Sequence, residues 1–119
     1  MKKTLWTLFC ILFVAAALSA CSSKEFPTGS YTHQSYTAVF GDDGSFTLLF
    51  GDEVVTEGTY SIEGDEITWG HDTWCDAENA GTATYRWQYE DGVLSYELIG
   101  EDLCEGRSDL QSVNWFGPK

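Results

Sequence analysis

Positive charge is scarce in this chain of 119 residues, which holds 6 Lys and Arg against 19 Asp and Glu. Nucleic-acid binders draw most of their affinity from Lys and Arg neutralising phosphates, so a nucleic-acid partner is not expected. A domain lying flat on anionic lipid is disfavoured for the same reason. Catalytic signatures are missing as well: the chain has neither a G-x-S-x-G turn nor an H-E-x-x-H helix. The 12-residue calcium loop, with acids at alternate positions and a closing Glu, is absent. The glycines follow strand-like segments at turns instead of opening helices, so no phosphate-cradling loop is present. No stretch shows helical periodicity. An enzyme, a resident metal and a cofactor are therefore not expected.

The residues nearest to such chemistry have plainer uses. His71-Asp72 resembles an acid–base pair, and His33 is the other histidine. A general base needs a positioned partner and a nucleophile or metal, and without these His71 reads as a solvated loop side chain. Asp42-Asp43-Gly44 and Glu101-Asp102 could offer oxygens to calcium, but Asp and Gly are also the residues that turns require.

Long apolar runs are lacking too. The longest, Leu5 to Leu18, has 14 residues, too short for a bilayer that takes about 20. It follows Met1-Lys2-Lys3-Thr4, and this order of a basic start and a short apolar core is that of an export signal. The run ends in Leu18-Ser19-Ala20-Cys21, which resembles the bacterial lipobox. The resemblance implies diacylglyceryl transfer to the Cys21 thiol and cleavage just before it. An ordinary secretory peptide or an uncleaved anchor are the competing readings. Residues 1–20 are then the signal peptide, residues 21–28 the lipidated cysteine with a short tether, and residues 29–119 a single domain. The lipid on Cys21 would hold the domain to the membrane on its extracytoplasmic side.

Cleavage removes Lys2 and Lys3 but no acid, which leaves four cations against nineteen acids, a net charge of −15. Such a surface either keeps the domain soluble or recognises a cationic partner. Disorder is not expected, because disordered acidic segments lack the aromatics that are regularly placed here. A domain of this size has a modest core and commonly needs a covalent staple. Cys10 leaves with the leader and Cys21 carries lipid, so Cys75 and Cys104 remain. Export places them in an oxidising compartment, where a disulfide is expected. A half metal site or a reactive thiol would need ligands that are not nearby.

From Gly29 onward the apolar residues alternate, with turn residues every 8 to 12 positions. Tyr36, Ala38 and Phe40 precede the turn Gly41-Asp42-Asp43-Gly44, and Phe46, Leu48 and Phe50 follow it. Tyr60 and Ile62 lead through Gly64-Asp65 to Ile67 and Trp69. Tyr85, Trp87 and Tyr89 lead through Asp91-Gly92 to Leu94, Tyr96 and Leu98. Val113 and Trp115 mark the last strand. Eight strands with one apolar face each predict an all-β, antiparallel, eight-stranded up-and-down barrel, since closure removes exposed edges. An open β-sandwich of the same strands is the alternative.

Gly29-Ser30-Tyr31, after Phe26-Pro27-Thr28, resembles the Gly-x-Trp opening of lipocalin-like barrels, with Tyr31 at the Trp position. Gly58-Thr59-Tyr60-Ser61-Ile62-Glu63-Gly64-Asp65-Glu66-Ile67, then Tyr85-Arg86-Trp87 with Asp91-Gly92, then Cys104-Glu105-Gly106-Arg107 follow in order. Together they resemble the small lipocalin-like lipoproteins of bacterial envelopes over residues 26–116. The resemblance implies that Arg107 packs across an aromatic of the first strand, Tyr31, or across Trp115; a surface ion pair with Asp109 is the alternative. It also implies a calyx, in which Phe40, Phe46, Tyr60, Trp69, Trp87 (or Tyr85), Tyr96 and Trp115 would line a pocket for a small apolar ligand. The same rings could simply fill the barrel, leaving a monomeric structural or protein-interaction lipoprotein with a solid core.

The lipobox reading has a direct test. Labelled fatty acid fed to the producing cell should appear on the wild-type protein and be absent from Cys21→Ala; label retained on the variant would refute it.

Overall fold

The structure is a computed structural model that describes residues 25–119. The leader and Cys21 lie outside the described residues. Eight antiparallel strands form a closed up-and-down barrel in which each strand pairs with its sequence neighbours and the last returns to the first. The strands are β1 (Gly29–His33), β2 (Tyr36–Phe40), β3 (Ser45–Phe50), β4 (Glu53–Glu63), β5 (Glu66–Asp72), β6 (Ala83–Glu90), β7 (Val93–Ile99) and β8 (Trp115–Phe116). Closure rests on β8, only two residues long: Phe116 pairs with both Thr32 of β1 and Val93 of β7, and Trp115 pairs with Leu94.

The period-two pattern becomes the barrel wall directly. In β6, Ala83, Tyr85 and Trp87 are buried while Arg86 and Gln88 are exposed. Tyr31, Ala38, Phe40, Phe46, Leu48, Tyr60, Ile67, Trp69, Leu94 and Trp115 complete the inner face as one continuous core. Phe26 belongs to the same core, although it precedes the first strand and falls in the stretch expected to be tether. Turn chemistry fixes the register. Asp91 and Gly92 both have positive φ, the backbone that a two-residue turn needs to match the strand twist.

The two ends of the barrel differ. At one, which we term the hairpin end, the chain turns tightly at residues 41–44, 64–65 and 91–92, and the N-terminal segment enters. The other, the helical end, carries two tight turns and two longer excursions with helices α1 (Thr73–Ala77) and α2 (Glu105–Gln111). These helices depart from the expectation of no helical segment, and the reason is physical. The side of α2 turned to the barrel carries Arg107 and Gln111, both buried, and Leu110, packed against the core. That is helical i, i+3, i+4 spacing, but two of its three members are polar, so an apolar periodicity cannot register it. Gly106 is required where α2 meets the excursion before β6, because a Cβ there would overlap the Trp74 ring.

Cys75, in α1, and Cys104, just before α2, are joined as a disulfide with Cα atoms 5.4 Å apart. The bond ties the two excursions of the helical end where no strand pairing does so. It closes a loop with a sequence separation of 29, which restricts the unfolded chain by about 3.6 kcal/mol on the chain-entropy relation. Replacing both cysteines by Ala should therefore lower the unfolding free energy by about 3–4 kcal/mol in a denaturant titration. A loss below about 1 kcal/mol would show that the bond contributes little to the fold.

Candidate functional site

The barrel interior is the first place to look for a ligand site, because the sequence directs its rings there. Phe40, Phe46, Tyr60, Trp69, Trp87 and Trp115 are buried in the core, and Tyr96 packs against it. These rings, however, meet one another. Phe40 lies 5.2 Å from Phe46, 5.1 Å from Tyr60 and 5.7 Å from Trp69 between ring centroids. Phe46 and Trp69 are 4.6 Å apart, and Trp69 and Tyr96 6.0 Å. Edge-on and tilted contacts at such separations are favourable packing. A cavity of about 20 Å³ remains beneath α2, far below the 300–1,000 Å³ of typical ligand sites.

Most polar heads in this core already serve the protein's own backbone. Tyr60 Oη donates to the Gly41 carbonyl at 2.6 Å. Trp87 Nε1 donates to Gly64 and Trp115 Nε1 to Leu110, both at 3.0 Å. Tyr31 Oη donates to the Pro27 carbonyl. Burial raises the phenol pKa of Tyr31, Tyr85 and Tyr96, so each stays neutral at physiological pH. The interior therefore has the chemistry of a core, with its hydrogen-bonding capacity largely spent internally.

The hairpin end is closed by the N-terminal segment. The Phe26 ring sits 5.0 Å from Phe40, 5.3 Å from Trp87 and 5.8 Å from Tyr60. Thr28 Oγ1 donates to Asp42 Oδ1 at 3.1 Å, and Asp43 Oδ1 accepts from the Ser45 amide at 3.0 Å. The Asp42-Asp43-Gly44 oxygens are thus engaged in shaping the turn and holding the entering chain.

At the helical end Arg107 is 5% exposed and forms the hub of a polar cluster. Its Nε and Nη2 reach the two carboxylate oxygens of Asp102 at 2.9 and 2.8 Å, a fork-to-fork pair. Nη2 also donates to the Gly81 carbonyl at 3.1 Å, and Nη1 lies 3.5 Å from Asp72 Oδ2. Asp72 in turn accepts from the Cys75 amide as the N-cap of α1 and from Thr56 Oγ1. Tyr85 Oη and the Cys104 amide donate to Asp102. Neither expected partner of Arg107 is the one found: its guanidinium is directed to Asp102 and Asp72, not across Tyr31 or Trp115, and not to Asp109. The reason is electrostatic, since a buried guanidinium needs counter-charge and full hydrogen bonding that a ring face does not supply. Tyr31 instead packs edge-on against Phe40 and Tyr89.

Sequence reasoning considered Asp72 and Asp102 only for acid–base or calcium chemistry, missing their role as partners of Arg107, and missed Gln111 altogether. One usable signal was that Asp72 precedes Cys75 by three residues, the N-cap spacing. Another was that a chain with four cations after cleavage places Arg107 three residues after Cys104, one of the two cysteines left to pair. His71, 83% exposed, meets only Asp76 Nδ1-to-Oδ1 at 3.2 Å, and His33 Nδ1 lies 3.0 Å from the Asn114 carbonyl. Among the described residues no group of three or more His, Cys, Asp or Glu converges as a metal site would.

A groove of about 690 Å³ runs along the outside of β6 and β7. Its lining includes Arg86 and Glu97, which pair across the two strands, as do Gln88 and Ser95. Arg86 Nε lies 3.3 Å from Asp65 Oδ2, with both side chains about half exposed or more. The groove is ligand-sized and mixes charged side chains with apolar surface, and it lies outside the barrel, not in the calyx expected within it.

The Arg107 cluster gives a pH-dependent prediction. Burial pushes the Asp102 carboxyl pKa up, but hydrogen bonds from Arg107, Tyr85 and the Cys104 amide outweigh it and hold it below the usual range. A depressed carboxyl pKa contributes stability that is complete above the unfolded value, about 3.9, and is lost as pH falls through the folded one. Arg107→Met removes the counter-charge and should cost about 3–5 kcal/mol at neutral pH. The gap to wild type should narrow below about pH 4, as the carboxyls protonate. Unfolding titrations at neutral and acid pH measure it, and a gap that stayed constant would contradict the role given to Asp102.

No protein-family model matches this chain, and neither the curated proteins nor the solved structures contain a significant match.

Proposed function

We propose that this chain is a lipid-anchored, extracytoplasmic envelope protein whose solid barrel acts as a non-catalytic interaction module, akin to the small lipocalin-like lipoproteins. The observation that carries this reading is the position of Phe26. It fills the hairpin-end mouth of a barrel whose cavity beneath α2 has only about 20 Å³. A carrier of a small apolar ligand needs an open mouth and a volume, and this barrel offers neither on its inner side.

The same residue supports the tether. Phe26 lies five positions after Cys21, and extended chain spans at most about 3.6 Å per residue. A lipid on Cys21 would hold the hairpin end within about 18 Å of the bilayer and leave the helical end facing away from it. Phe50, Val54 and Val55 are exposed at the β3–β4 tip of that far end, beside the exposed Asp52 and Glu53. Apolar side chains displayed beside acids suit contact with another protein, and the net charge of −15 that cleavage before Cys21 would leave favours a cationic one.

Native mass spectrometry of the protein purified gently from its own host tests the reading. The expected spectrum carries the lipid modification and no additional small molecule. A reproducible extra apolar mass, released by organic solvent, would overturn the solid-core reading in favour of ligand carriage.

A further inference from the structure

We infer that the cavity beneath α2 is a built hydration site that holds one water molecule, bridging the helical cap to the barrel wall. Two buried side-chain polar atoms among the described residues have no hydrogen-bond partner: Trp69 Nε1, on the wall strand β5, and Gln111 Oε1, on α2. Both residues line the same cavity of about 20 Å³, and Trp69 and Gln111 are 2% and 7% exposed. An unmatched polar atom in such a place costs about 1–3 kcal/mol, and two of them bordering one small void call for a common partner.

The chemistry fits water in kind and in number. The indole N–H can only donate and the amide oxygen can only accept. A water accepts from the first and donates to the second, and it serves Gln111 equally well if the amide is turned over. A water needs a space of about 10–15 Å³, and a cavity of about 20 Å³ is large enough to admit one. Apolar cavities stay dry. This one is mostly apolar too, but it is bordered by the unpaired Trp69 Nε1 and Gln111 Oε1, the two polar partners that a water would take. The contact between α2 and the barrel is then partly water-mediated. Helix α2 is held at its start by the disulfide and Arg107, and near its end by this water.

Tryptophan indole protons give the test, with built-in controls. Full-length protein in detergent micelles is labelled with ¹⁵N-tryptophan, and the Trp69 resonance is assigned by its loss in Trp69→Phe. The Trp69 indole proton should show a cross-peak to water with the sign of a residence time longer than nanoseconds. The Trp87 and Trp115 indoles, bonded to backbone carbonyls, should show none. In Gln111→Leu, which removes the acceptor and adds apolar volume, the Trp69 cross-peak should disappear. A Trp69 indole that is protected from exchange yet lacks the cross-peak in wild type would overturn the inference whatever the variant does. A cross-peak unchanged in Gln111→Leu would overturn the bridge to α2.

Discussion

Eight strands, each apolar on one side, bury that side here by closing on themselves, and the closure is thin. It depends on Trp115 and Phe116, two residues that must meet β1 on one flank and β7 on the other. So short a strand holds few ladder hydrogen bonds, and the seam is secured from within. Trp115 is almost fully buried and its indole is bonded to Leu110, just after which α2 ends. Behind it the rings meet at Phe40, which touches Phe26, Tyr31, Phe46, Tyr60 and Trp69. Shape, lack of internal volume and the plugged mouth all follow from this one demand, that a small barrel be filled to stay closed.

The strands were legible because their physics is local. Period two with Asp-Gly and Gly-Asp turns leaves little choice of register, and the inward rings of β2, β3, β5, β6 and β7 follow from it. What was not legible depends on partners distant in sequence. Arg107 and Gln111 occupy core-facing positions of a helix that an apolar pattern cannot reveal. Asp102 and Asp72 read as turn and loop acids until the fold brings them to one guanidinium. Phe26 stands outside the alternating pattern, so nothing in the chain before folding distinguishes a plug from a tether. Whether inward rings leave a pocket is likewise a matter of summed volume, which alternation does not encode.

The helical end solves a different problem. Its two excursions have no strand partner, and two cross-links replace the missing ladder: the Cys75–Cys104 bond and the Arg107 fork to Asp102 with its reach to Asp72. The disulfide joins the segment before β6 to the segment before β8. Arg107 does so too, through the Gly81 carbonyl and Asp72, while its fork to Asp102 braces the second segment internally. Arg107, the one buried cation among the described residues, is stable because two carboxylates and a carbonyl compensate it, and it fixes the path of both excursions. The result is an ordered cap at one end and a plugged mouth at the other.

The most direct test of the solid core is a fluorescence titration of the folded wild-type protein with an apolar naphthalene-based probe. A filled barrel predicts no saturable binding, only weak and non-displaceable signal. One-to-one saturable binding, displaced by fatty acid and weakened when Phe40 or Trp69 is changed to Ala, would contradict it.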